Sequence, residues 1–328
     1  MPWNARLGVL AAVVGFVVVS TRLEERRMVA AAQAAGAVES AARVDPDRLL
    51  EDVRALSQQA FEGRLAGSPG SHKAQAYILA RFRAIGLKPL VSALAGPSYE
   101  QPFAFGDRFP DAKNLMGYIA GSAEPDRFTL VTAHYDHLGV RDGKTYPGAD
   151  DDASGVAAML ASAAYFAHHQ PHRSILFIAF DGEEEGLRGS TYFVAHPAVP
   201  LKAIALDVNL DMVARGDKNE LVAAGTYYSP EMKEPLAAAA RGRHLTLVFG
   251  HDRPTSLAGG RGDVEKEDWT HSSDHGPFHD AGIPFLYFGV EDHPDYHRPT
   301  DTADKIPRGF FVEAANLVVD TLVAFDAR

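Results

Sequence analysis

"RSILFIAFDGEEEGLRGSTYFVAHP" (Arg173–Pro197) decides the fold. Its first part, Ser174 to Phe180, is almost wholly apolar. A short apolar run without polar alternation reads as a strand buried on both faces, which requires helices above and below the sheet. Asp181, Glu183, Glu184 and Glu185 follow at once, and a short helix stopped by Pro197 comes next. Open α/β sheets hold ligands beyond the carboxyl ends of their strands. Carboxylates at that place read either as a solvated cluster or as a metal site with its own general base.

Working outward, the same alternation recurs. Strands are predicted at "NLMGYIAG" (114–121), "RFTLVTAHYD" (127–136), "LKAIALDVNLDMV" (201–213), "ELVAAG" (220–225), "HLTLVF" (244–249) and "IPFLYFGV" (283–290). Helices are predicted at "VDPDRLLEDVRALSQQAF" (44–61), "HKAQAYILARFRAIGL" (72–87), "ASGVAAMLASAAYFAHH" (153–169), "SPEMKEPLAAAARGR" (229–243) and "PRGFFVEAANLVVDTLVAFDA" (307–327). "EGRLAGSPGSHKAQ" (62–75) reads as a glycine-rich loop running into the second helix. The pattern implies an α/β fold with a mixed, mostly parallel central sheet flanked by helices on both faces. No repeat or internal linker interrupts it, so residues 45–328 read as one catalytic-size domain behind a linker at 21–44.

The chain has 328 residues and a net charge of −11, which argues against a nucleic-acid binder. It has no cysteine, so any metal must be held by His and carboxylates. "LGVLAAVVGFVVVS" (Leu7–Ser20) is uncharged, follows Arg6, and is short for a spanning helix. Residues 1–20 therefore read as a signal peptide or membrane anchor. The expected location is exported: periplasmic, secreted or anchored to the membrane by residues 7–20.

Polar residues of one kind follow each apolar strand. His134, Asp136 and His137 follow the strand at 127–133, and Asp211 follows "ALDVNL". Asp292, His293, Asp295, His297 and Asp301 follow "IPFLYFGV", and "PGADDDASG" brings Asp150, Asp151 and Asp152 to the start of a helix. Taken singly, an Asp at a strand end is a turn or cap residue. Several His and carboxylate clusters converging on one sheet edge suit a divalent cation, without which the acids would raise each other's pKa.

"AHYDH", "GADDDASG", "EEEGLRGS", "NLDM", "SDHGPFHDAGIP" and "YHRPTDT", in this order, resemble the M28 metallopeptidases, the co-catalytic dizinc aminopeptidases of bacterial secreted type. The resemblance spans roughly residues 60–305 and implies a zinc-exopeptidase fold of the phosphorylase/hydrolase-like kind. It also implies that His134, Asp151, Glu184, Asp211 and His297 ligate two Zn2+ per chain, with Co or Mn as possible substitutes. Asp151 would bridge the metals, and its bond to Asp152 is expected to be cis. Glu183 would be the general base that activates a metal-bridging water, Asp136 would accept from the second ring nitrogen of His134, and Tyr296 would donate to the oxyanion.

Asp151, Glu184 and Asp211 carry three negative charges against four on two zinc ions, so a bridging hydroxide would leave the centre neutral. The implied substrates are peptides with a free N-terminus. Alternatives on the same fold are a glutaminyl cyclase with one zinc, a carboxypeptidase or other amidohydrolase using Arg215 or Arg298, and a non-catalytic receptor-like ectodomain. "HSSDHGPFHDAG" (271–282) reads as a helix start capped by Ser and Asp, "HHQPH" (168–172) as a solvated turn, and "RGDV" (261–264) as a chance match.

Overall fold

The computed structural model describes residues 43–92, 96–253 and 267–326. The expected signal or anchor, nearly all of the expected linker, and "RGDV" lie outside the described residues. Among the described residues no helix is long and apolar enough to cross a membrane.

Two helices lead in. Helix α1 (Pro46–Leu56) starts where the Asp45 carboxylate accepts the N–H groups of Asp47 and Arg48. A 3-10 turn (Gln59–Arg64) follows. Helix α2 (Pro69–Ile85) is capped by Ser68 and ended by Gly86, whose φ of 91° suits glycine. The buried Asp52 ties the two helices together: it accepts from Arg81 at 2.8 and 3.1 Å, from Arg48 at 2.9 Å and from the Tyr77 hydroxyl at 2.6 Å.

Strands β1 (Leu90–Ser92) and β2 (Gly96–Ser98) form a small antiparallel pair. There follow β3 (Glu100–Phe105), β4 (Phe109–Ile119), β5 (Glu124–His134), the hairpin β6 (Val140–Arg141) and β7 (Lys144–Thr145), α3 (Ala153–His168), β8 (Arg173–Phe180), α4 (Arg188–Ala195) and β9 (Ile204–Leu210). The chain continues through β10 (Glu220–Ala224), α5 (Lys233–Ala240), β11 (Thr246–Phe249), α6 (His275–Asp280), β12 (Phe285–Gly289) and α7 (Arg308–Asp326). Eight strands form one sheet in the order β11-β10-β12-β9-β5-β8-β4-β3. The central run β12-β9-β5-β8 is parallel, while β4 and β10 join it antiparallel.

Strand β8 shows why its sequence carries no polar alternation. Ile175, Phe177 and Ala179 pack into the core with α1, α2, α3 and α7, while Leu176, Ile178 and Phe180 pack with Phe193 of α4 and Phe278 of α6. Each face of the sheet has its own apolar layer, so the fold is the mixed α/β sandwich expected from the sequence. The β1–β2 pair, β3 and the β6–β7 hairpin were not foreseen: each is short, exposed residues interrupt the buried ones in β3, and β6 is wholly exposed.

Candidate metal centre

The parallel run places the ends of β5, β8, β9 and β12 side by side, and the polar residues read from the sequence all lie beyond them. Three consecutive acids show how the backbone is fixed there. Asp150 Oδ1 accepts the Ser154 hydroxyl and the Ala214 N–H, and its Oδ2 lies 3.2 Å from His293 Nε2. Asp152 caps α3 through the Gly155 N–H and also accepts the N–H groups of His134 and Met212, so one carboxylate joins the ends of β5 and β9 to the helix. Asp301 accepts the N–H groups of both Asp150 and Asp151. With its backbone held from both sides, Asp151 has a free side chain. The Asp151–Asp152 peptide bond is cis.

The two oxygens of Asp151 face different partners. Oδ1 lies 3.3 Å from His134 Nε2, which is in turn 3.5 Å from Asp211 Oδ1. Oδ2 lies 3.1 Å from His297 Nε2 and 3.7 Å from His137 Nδ1. Glu184 completes the second set, with Oε2 at 3.3 Å from His297 and Oε1 at 2.6 Å from His137. Two groups of ligating atoms, each within 4.8 Å of one another, thus share Asp151: His134, Asp151 and Asp211, and His137, Asp151 and Glu184.

His137 joins this second group although the sequence reading did not take it as a candidate ligand. It follows Asp136 in "AHYDH", so its type was in view, but only the loop turn after β5 brings it against Glu184. His137 Nε2 is buried without a hydrogen-bond partner, and His137 Nδ1 and Glu184 Oε1, though 2.6 Å apart, are not aligned for a hydrogen bond. Buried polar atoms are nearly always paired. Lone-pair donors of imidazole and carboxylate type left without protein partners fit a borderline divalent cation such as zinc.

The electrostatics agree. Burial disfavours a charge on His134, yet Glu183 and Asp211 hold its pKa well above the usual value. His297 is raised to about 10, because Asp151 and Glu184 outweigh its burial. Burial works against ionised Asp151 as well, but His137, His134 and His297 bring its carboxyl well below the usual range. Without a cation, protons on His134 and His297 would compensate these acids. Metal ligation needs neutral imidazole, so a cation entering here must displace protons.

Glu183 behaves differently from its neighbour Glu184. Burial, then Asp211 and Asp274, push its carboxyl well above the usual range, with His134 opposing. Its Oε2 stands 4.0 Å from His134 Nε2, beside the first group rather than within it. The carboxylate of Asp136 accepts the backbone N–H groups of Glu183 and Glu184, at 3.1 and 3.3 Å. The nearer acceptor for His134 Nδ1 is the Asp136 carbonyl at 3.2 Å, with the carboxylate at 3.6 Å. Asp136 thus orients His134 chiefly through its backbone and spends its charge on the turn that carries the two glutamates. Tyr296 stacks on the His297 ring at 3.9 Å, and burial together with Asp151, Asp211 and Glu184 raises its pKa, keeping the hydroxyl protonated.

Other sequence readings sort as follows. Asp181 is a buried support that accepts the Tyr135 hydroxyl and the Lys113 N–H. Glu185 lies in the turn before α4. Neither Ser273 nor Asp274 makes a capping hydrogen bond to α6. Instead the Ser273 hydroxyl oxygen accepts from Asn209, and Asp274 is buried with both oxygens unpartnered. Asp274, at the cap position, has the helical φ and ψ of −57° and −15° rather than the extended backbone from which a cap side chain reaches back. His168 and His169 are exposed, as a solvated turn requires. Arg215 is not free for a substrate carboxylate: its Nη1 donates to Asp295 at 2.8 Å.

The sequence profile of peptidase family M28 matches residues 114–322. The chain belongs to peptidase family M28. Among M28 relatives, the aminopeptidase YwaD of Bacillus subtilis (strain 168) is 32% identical over 201 residues, which cover 59% of this chain and 40% of that protein. A probable glutamate carboxypeptidase, VP8 of Zea mays, is 34% identical over 205 residues, 60% of this chain and 27% of that protein. The chain thus spans less than half the length of these two curated relatives. In fold it is similar to BSAP, a zinc aminopeptidase from Bacillus subtilis, with a TM-score of 0.65 at 20% identity over 85% of this chain and 95% of that one. It is also similar to a Bacteroides thetaiotaomicron glutaminyl cyclase bound to N-acetylhistamine, with a TM-score of 0.63 at 20% identity over 85% of this chain and 97% of that one.

Proposed function

We propose that this M28 chain is an aminopeptidase that holds two zinc ions and hydrolyses the first peptide bond of substrates with a free N-terminus. The observation that carries it is the division of Asp151, one oxygen toward His134 and Asp211, the other toward Glu184, His297 and His137. When bound, the zinc ions supply Lewis acidity toward the scissile carbonyl and lower the pKa of water. Glu183, held beside the ligands by Asp136, takes the proton of the attacking water and returns it to the leaving amine. The Tyr296 hydroxyl donates to the oxyanion that develops on the carbonyl oxygen. The pairing of Arg215 with Asp295 removes a counter-charge that a carboxypeptidase would use.

A panel of aminoacyl-nitroanilides tests the reading: cleavage of the free forms and none of the N-acetylated forms supports it. Cyclisation of N-terminal glutaminyl peptides without such cleavage would assign the cyclase reaction instead. Export, proposed from the uncharged stretch 7–20, is tested by cell fractionation and the mass of the mature N-terminus.

A further inference from the structure

Arg64 comes from the glycine-rich lead-in, outside the stretch 114–322 that the M28 profile matches. Its side chain is fully buried, and all five of its hydrogen bonds go to carbonyl oxygens. Nε donates to Tyr135 at 2.8 Å, Nη1 to Leu56 at 2.9 Å and Pro147 at 2.6 Å, and Nη2 to Gly148 at 2.9 Å and Asp151 at 3.5 Å. One guanidinium therefore joins the end of α1, the residue after His134, and the loop that carries Asp151. The backbone is wedged in as well. His137 N–H donates to the Arg64 carbonyl and Gly139 N–H to that of Gly63, and a Cβ on Gly63 would stand 2.4 Å from the Gly139 carbonyl oxygen. Glu62, Gly63 and Arg64 all have positive φ, at 51°, 65° and 53°, to make this insertion.

Asp151, Asp152, Asp136 and Asp301 attract the buried guanidinium, and a divalent cation at the same acids would repel it, so charge alone does not explain its place. Geometry does: the guanidinium presents five donors in a rigid planar fork, and an ammonium cannot reproduce it. We propose that Arg64 is a positioning residue for the metal centre, holding the Asp151 loop against the end of β5 so that one oxygen of Asp151 faces each zinc. The proposal rests on the two-zinc reading.

The test is zinc affinity, measured by competition with a chromophoric chelator, for the unmutated protein, Arg64→Lys and Arg64→Gln at a temperature where each is folded by circular dichroism. The visible spectrum of the cobalt-loaded forms is recorded alongside. Arg64→Lys keeps the charge and loses the fork, so it is expected to bind the weaker zinc roughly 10–100-fold less tightly, with a changed cobalt spectrum. Unchanged affinity and spectrum in Arg64→Lys would overturn the proposal. If neither variant folds, the Arg64 Nε–H resonance of the unmutated protein decides: a shift on zinc loading supports the coupling, and an unmoved signal overturns it. Unmutated protein that takes up fewer than two zinc ions refutes the two-zinc reading instead.

Discussion

Replacing Glu183 by Gln isolates the proton-transfer step. The substitution keeps size and shape and removes only the ability to accept a proton. The backbone of the turn is held by Asp136 at 3.1 and 3.3 Å through N–H groups that the substitution does not touch. The carboxylate stands 4.0 Å from His134 Nε2, outside both ligand groups, so zinc content should not change. A positioned general base contributes about 10²- to 10⁴-fold, which at about 1.36 kcal/mol per decade is roughly 2.7–5.4 kcal/mol of activation free energy. The assay is kcat on a free aminoacyl-nitroanilide, with zinc per chain measured on the same sample. The acid limb of the pH–rate profile should vanish together with the activity. A variant with full zinc and kcat within about threefold of the unmutated protein would refute the assignment.

Other substitutions probe separate parts of the account. His297→Ala and His137→Ala should each lower the zinc retained per chain on gel filtration, because both rings stand against Asp151 and Glu184; a variant that keeps two zinc ions as tightly as the unmutated protein would remove that ring from the ligand set. Asp52→Ala leaves Arg81 and Arg48 without their buried partner and should destabilise by about 3–5 kcal/mol in denaturant unfolding with kcat unchanged. His275 is neutral in the fold, its pKa brought down to about 3 by burial, and its Nε2 donates to the Trp269 carbonyl. A folded pKa below the unfolded value of about 6.5 means that its contribution is full above that value and is lost as pH falls toward 3, at up to about 1.4 kcal/mol per pH unit. His275→Gln should flatten the unfolding free energy over that window, and an unchanged slope would sink the claim.

How far the sequence could be read follows from local physics. Strand β8 was legible because burial on both faces leaves an unbroken apolar run, α1 because Asp45 marks its start and α2 because Gly86 marks its end, while the start of α2 at Pro69, capped by Ser68, lies in the stretch read as a glycine-rich loop. The candidate ligand types were legible because His134, Glu184, Asp211 and His297 end or follow a strand of the sheet and Asp151 stands at the start of a helix. What the sequence could not show was which neighbour a loop residue meets. Asp136 serves His134 mainly by its carbonyl and the glutamate turn by its carboxylate, a division set by the path of the chain after β5. His137 reaches Glu184 by the same path. Arg64 lies seventy residues before His134 and carries no metal-ligand signature, so only the fold connects it to the centre.

The central claim is that Asp151 stands between two zinc ions. The most direct measurement is the zinc content of purified, fully loaded protein by mass spectrometry of the elements, set beside that of Asp151→Ala. The account predicts two zinc ions per chain in the first and loss of zinc in the second. A single zinc in the unmutated protein, or two retained by Asp151→Ala, would contradict it.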